Sequence, residues 1–335
     1  MTVRRAAAVA AAPAVVVVAV AAGLCLGSPV VPPGQAWAAL ADPDGMTYLR
    51  IWEIRAPRTI IGACCGAAFG IAGLLLQRAL ANPLAVPELL GVSSGAACAV
   101  AAFVVTGSSL AAGWYPFLAL AGAMAGGGIT LAASRGAQGA VQTLLVGAAV
   151  SSALAALTIA IASMAERLQL QTLLRYLSGS LLELHWADAR VIVPWVLTAV
   201  AGAVVVSPRA RALALGDDAA SAIGVDPRTA RLVVLVVAAA LVAVPTAFVG
   251  AIAWVGFAAP HLVRWRIPDL RPVGEALATG AVGAVVVIGA DIASRTAFAP
   301  FETPLGAWTA AAALVVAGVM WMSRTVPQRR AVVRS

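Results

Sequence analysis

The chain is 335 residues long, 62% hydrophobic and only 11% charged, with a formal net charge of +8 and a mean hydropathy of +0.96. Soluble globular domains carry about 25% charged residues, so this composition excludes one and marks an all-α polytopic membrane protein. It also removes nucleic acid as the partner of the basic charge: lysine is absent, and the arginines serve instead as markers of sidedness.

Apolar runs of the roughly 20 residues needed to cross about 30 Å of hydrocarbon begin near Ala6, Thr59, Val92, Phe117, Leu144, Val191, Leu232, Gly274 and Leu305. A further, shorter run interrupted by Gly and Pro lies around Gly250 to Leu262. We therefore expect about ten transmembrane helices in a single domain spanning residues 1–335, with a tail from about residue 324.

The first run follows Arg4-Arg5 and precedes Ala36-Trp37-Ala38, an arrangement that imitates a signal peptide. Its apolar stretch from Ala6 to Leu26 exceeds the roughly 7–15 residues of a signal h-region, so it reads as a retained span. Leu24 is too bulky for the position before a lipid-bearing cysteine. Cys25, Cys64, Cys65 and Cys98 all fall within expected spans without zinc-like pairing, and read as packing residues. Gly62, Gly66 and Gly70 recur every fourth position with Gly73 behind them, and Gly122 and Gly126 repeat the spacing. Such faces let helix backbones approach closely in lipid. Packing within one subunit is the simpler reading, a dimer seam the competing one.

Between the second and third runs stands Asn82-Pro83-Leu84-Ala85-Val86-Pro87-Glu88-Leu89-Leu90-Gly91-Val92-Ser93-Ser94-Gly95. Irregular backbone at membrane depth is tolerated only where protein buries it or where it lines a water-filled path. The segment points to a transporter-like core.

The longest internal polar interval runs from Ser207 to Arg231. Asp217 and Asp218 can cap and charge the start of a short helix, Gly224 can end it in a left-handed turn, and Pro227 can begin the next element. By pattern alone it is either a solvated connection or a docking element for a cytoplasmic partner. In the interrupted run, His261 follows Pro260 and is expected to cap backbone carbonyls at the turn. His185 stands alone, so no metal site made of histidines is expected.

With ten spans and a cytoplasmic N-terminus, the arginines divide roughly two to one in favour of the inside, obeying the positive-inside rule. Arg50, Arg55, Arg58, Arg167, Arg175, Arg190 and Arg295 fall outside. Both termini are then cytoplasmic.

Asn82-Pro83-Leu84-Ala85 with Pro87 and Leu90-Gly91-Val92-Ser93-Ser94-Gly95-Ala96, preceded by Arg55-Ala56-Pro57-Arg58, resembles the signature of the FecCD-like permeases of iron-siderophore and vitamin B12 ABC importers. Leu215-Gly216 to Ile223-Gly224-Val225 resembles that family's coupling segment, Val255-Gly256-Phe257-Ala258-Ala259-Pro260-His261 its re-entrant turn, and Ala290-Asp291 with Arg295 its ninth span. The order and spacing of these motifs cover most of the chain. Departures occur in the last span, Pro304-Leu305-Gly306-Ala307-Trp308-Thr309, in Ala251-Ile252-Ala253-Trp254, and from Gln169 to Trp186.

The resemblance implies a type II ABC importer permease-like bundle that passes an iron(III)-siderophore or similar large metal chelate. It implies that Leu215, Gly216, Asp217, Asp218, Ser221 and Gly224, within about residues 208–231, couple to a cytoplasmic ATPase dimer whose groove takes residues 212–226. Arg55, Arg58 and Arg295 match positions that dock an extracytoplasmic substrate-binding protein; lipid-headgroup anchoring is their alternative role. Asn82, Pro83, Leu84, Pro87, Gly91, Ser93, Gly95, Gly256, Pro260 and His261 would form cytoplasmic turns or a gate. A second permease subunit, identical or paralogous, and membrane lipid complete the expected partners. The chain itself would hold no cofactor and no metal: ATP and Mg belong to the ATPase, since a P-loop needs a lysine this sequence lacks. An ion-coupled secondary transporter is the alternative, but it calls for ionisable groups deep in its spans, whereas Glu275 and Asp291 stand towards the ends of theirs. A membrane-embedded enzyme lacks both HExxH and a nucleophile with a histidine partner.

Overall fold

A computed structural model describes residues 3–106, 114–136 and 140–332, and the side chains of 9–106, 114–136 and 140–322. The helices are α1 (Val3–Cys25), α2 (Pro33–Ala38), α3 (Met46–Tyr48), α4 (Ala56–Ala79), α5 (Val92–Val105), α6 (Tyr115–Ser134) and α7 (Ala140–Ala162), followed by α8 (Arg167–Leu177), α9 (Trp186–Leu213), α10 (Asp217–Ala222), α11 (Pro227–Val249), α12 (Val255–Arg266), α13 (Pro272–Thr296) and α14 (Leu305–Val332). A π-helical turn, Leu49–Arg55, feeds α4. Proline opens α2, α4, α6, α11 and α13, where its missing N–H has no helical partner to lose.

Among the described residues, 7 helices are long and apolar enough to cross a membrane: α4 with its lead-in, α6, α7, α9, α11, α13 and α14. Two shorter apolar helices, the Val9–Cys25 part of α1 and α5, stand beside them, and with α12 the architecture is roughly compatible with the expected ten spans. At 14 and 12 residues, α5 and α12 rise only about 21 and 18 Å, short of the hydrocarbon thickness. Each follows an irregular stretch, residues 80–91 with its short 3-10 turn at Pro87–Leu90 and residues 250–254.

The central helix is α4, packed against α1, α9, α11, α12 and α13. Its most apolar window is 78% buried, against 11% for α7 and 17% for α14. Those two helices turn most of their surface outward, as contact with lipid or a second subunit requires. The glycine repeats settle as contacts inside one chain. A Cβ on Gly66 would collide with Gly283 O, and one on Gly73 with Gly256 O, so α4 meets α13 and α12 backbone to backbone. Likewise Gly122 and Gly126 of α6 close on Gly95 and Gly91.

Buried prolines are tolerated where other groups take up freed carbonyls. Pro245 leaves Leu241 O without its helical donor, and the indole of Trp195 donates to the preceding carbonyl, Ala240 O, at 2.8 Å. One expectation changes: the polar interval does not begin as a connection, because α9 continues through Pro208 to Leu213. Ser207 is buried and donates to Val204 O, so that turn keeps its helical surroundings.

Candidate functional site

Charged clusters define two ends of the bundle. At one, α9 stops at Leu213 and Gly216 turns the chain with φ +100°, a conformation favouring glycine although its surroundings are open. The short helix α10 follows. Asp217 and Asp218 occupy its first turn, where the helix dipole favours them, while Gly216 holds the cap position. Gly224, at φ +81°, ends it, and Asp226 caps α11 by accepting from the amides of Arg228 and Thr229. Thr229 is the main cause holding the Asp226 carboxyl below its usual range. Leu215 and Ile223 are 66% and 63% exposed, and Asp218, Ser221 and Gly224 face outward. Ser221 donates to Asp217 O within the helix.

What anchors this projection is Arg231, a residue the sequence marks only as one more inside arginine. Buried at the start of α11, it donates from Nε to Ala79 O at 3.1 Å and pairs through Nη2 with Asp217. One guanidinium thus ties α10 and α11 to the last residue of α4. Nearby, Arg78 pairs with Glu275 of α13 at 2.6 Å, and Arg211 donates to Leu270 O.

From Ala79 the chain enters the irregular segment. Ala81 takes φ +44°, Asn82 accepts the Leu84 amide at 2.9 Å, Pro83 and Leu84 are outward, and Pro87–Leu90 forms a 3-10 turn. Gly91, φ +72°, opens α5; a side chain there would meet Thr130 Oγ1 and Gly126 O. Ser93 is buried. This segment meets the second interruption directly: the Pro87 ring lies against Gly256, and Glu88 Oε1 accepts the Trp254 amide at 3.3 Å. Gln77 of α4 donates to Gly256 O at 3.1 Å and accepts from Arg264 at 2.6 Å. In α12, buried Pro260 precedes His261, whose Nδ1 lies 2.8 Å from Phe257 O and serves that carbonyl, as expected of it. The interruption is otherwise held from behind: Ser180 N donates to Val249 O, and Gly306 N to Ser178 O.

At the opposite end Arg58 grips two carboxylates. Nε reaches Asp291 Oδ1 at 2.8 Å, and the fork meets Glu302 at 3.0 and 2.9 Å. Arg295 lies 3.2 Å from Asp291 Oδ2 and donates to Gly23 O. Arg55 caps the end of α1 through Leu24 O, Cys25 O and Pro29 O. The three arginines are only 5%, 7% and 8% exposed. In this subunit the three guanidinium groups bond to carboxylates and helix-end carbonyls of the same chain. A cavity of about 230 Å³ opens beside Arg58, Asp291, Glu302 and Arg175.

The FecCD transport family model matches residues 15–322. The chain belongs to that family. Among relatives of this FecCD protein is the Fe(3+)-citrate import system permease protein YfmD of Bacillus subtilis, 33% identical over 284 residues, covering 80% of this chain and 82% of the relative. The ferric enterobactin transport system permease protein FepG of Escherichia coli is 32% identical, with 86% and 87% covered. The vitamin B12 import system permease protein BtuC of Citrobacter koseri is 31% identical, with 87% of each covered. A solved inward-facing structure described as a metal-chelate type ABC transporter shares the fold, with TM-score 0.81, 23% identity, and 95% and 99% coverage.

In this FecCD chain the motif residues come together in all three sets: Arg58 and Arg295 share Asp291, with Arg55 beside them. The turn residues of the two interruptions share one junction, and the coupling residues share one projecting turn. Gln77, Glu88, Arg231 and Glu302 escaped the sequence reading, because nothing local distinguishes a buried polar anchor from a boundary residue. Their one signal is a polar side chain beside a motif already chosen.

Proposed function

We propose that this chain is the permease subunit of an ATP-binding cassette importer, passing an iron(III)-siderophore or a similar large metal chelate across the cytoplasmic membrane. The observation that carries the reading is the Arg231 junction, which joins the exposed helix α10 to the end of α4, where the first interrupted segment begins. A force applied to α10 has a short, packed route to Pro87, Glu88 and Gly256. In this reading α10 seats in a separate ATPase dimer and the end carrying Leu215, Asp218 and Ile223 is cytoplasmic. The import systems named for the relatives support both the machinery and the chelate class.

The chain does no chemistry of its own here. A P-loop lysine cannot be supplied by a sequence without lysine, so ATP and Mg act on the partner, and this subunit converts ATPase closure into helix movement. The exposed faces of α7 and α14 suit a second permease subunit around a central path. The opposite end, with its arginine cluster, is where a substrate-binding protein would deliver cargo. A direct docking role for Arg58 would require an incoming carboxylate to displace Glu302.

The test is uptake of radiolabelled ferric siderophores and cobalamin in a strain lacking this chain, complemented by wild type. One class should be recovered, and it should vanish when the partner ATPase loses its P-loop lysine. Uptake that survives that change but collapses with an ionophore would replace the importer with an ion-coupled secondary transporter.

A further inference from the structure

A second cavity, of about 180 Å³, lies at the α10 end between α6, α7 and α11, apart from the interrupted segments. Arg135, Arg228 and Arg231 line it, together with Ser134, whose Oγ is buried without a hydrogen-bond partner among the described residues. Its inner wall is apolar, formed by Leu232 and Leu235, the latter buried in the core. The site is therefore amphiphilic: three guanidinium groups, an idle hydroxyl, then leucine.

The charges nearby say what it can hold. Asp226 is engaged by the first amides of α11, and Asp217 balances Arg231. Among the described residues the Arg135 guanidinium makes no ion pair, and Arg228, within electrostatic reach of the amide-engaged Asp226, donates to Arg135 O, which brings two cations together. Arginine forks suit phosphate oxygens in a bidentate way. A membrane-boundary pocket combining such forks with an apolar wall fits a phosphate ester carrying a hydrocarbon tail better than free phosphate.

The geometry points to a binding site for the headgroup of an anionic phospholipid, held by Arg135 and Arg228, with Ser134 donating and the acyl region against Leu232 and Leu235. The bound phosphate stands beside Arg231, one contact from α10. Lipid charge thereby gains a route to the Arg231–Asp217 pair.

Native mass spectrometry on the purified full-length chain tests this, titrating palmitoyl-oleoyl phosphatidylglycerol, phosphatidylcholine with the same chains, and inorganic phosphate. Wild type should retain phosphatidylglycerol at roughly tenfold lower concentration than phosphatidylcholine. The pair Arg135→Gln/Arg228→Gln, both at exposed positions, should lose that preference, while Arg135→Lys/Arg228→Lys keeps it. Arg50→Gln/Arg190→Gln, at the other end, should leave it unchanged. A preference that survives the glutamine pair overturns the site, as does one weakened equally by the distant pair. Displacement of phosphatidylglycerol by an equal concentration of inorganic phosphate overturns the lipid assignment.

Discussion

Arg58 shows how a single side chain can serve fold and function at the same end of a molecule. Its bidentate grip on Glu302 and its bond to Asp291 join α4, α13 and the approach to α14. Removing Arg58 leaves buried Asp291 with Arg295 at 3.2 Å and lets Glu302 turn to water, so the cost stays below the about 3–5 kcal/mol of a buried charge left unpaired. Arg58→Met should therefore lower the thermal midpoint and the yield of folded protein in detergent. Glu302→Gln should cost far less, since that side chain is 31% exposed and can turn to water. Normal stability of Arg58→Met combined with weak capture of a binding protein would instead favour a direct docking role.

At the scale of elements, α10 depends on a contact that crosses three helices. Asp218 points outward and Asp217 inward to Arg231, so the two acids should separate by substitution. Asp218→Arg should leave stability untouched and reduce ATPase association. Asp217→Asn and Arg231→Gln should each uncouple ATP hydrolysis from transport severalfold, and the double variant should be no worse than Arg231→Gln, which also loses the bond to Ala79 O. Additive losses would separate the two residues. The stability cost should stay near 1 kcal/mol, because Asp217 is 43% exposed and such pairs are screened. This element was legible in the sequence because its determinants are local: two acids, a left-handed glycine, an N1 proline. The interrupted segments were legible for the same reason. Arg231, Gln77 and Glu88 were not, since their partners lie 152, 179 and 166 residues away, and only the packed bundle brings them together. The intrachain partners of the arginines at the other end were not legible either, as boundary position does not reveal the carboxylates and helix-end carbonyls around them.

At the scale of the whole molecule, span count follows from whether α1, α5 and α12 cross. Length and hydropathy alone give 7 spans, and the charge clusters give more: α4 runs from the Arg58 end to the Arg78 end, and α5 and α12 each complete a crossing begun by irregular chain. The two counts place particular residues on different sides. With ten spans, Ala41, Thr172 and Phe301 share one face and Ser221 and Asp269 the other. With only the longer helices, Thr172 would part from Ala41, and Ser221 from Asp269. Single cysteines at these exposed positions, in a chain whose own Cys25, Cys64, Cys65 and Cys98 are replaced by alanine, should settle the matter by labelling with a membrane-impermeant maleimide. Thr172→Cys and Ala41→Cys should react in intact cells, and Ser221→Cys and Asp269→Cys only in inverted vesicles. Labelling of Ser221→Cys from outside would reverse the orientation of α10 and remove it from any cytoplasmic ATPase.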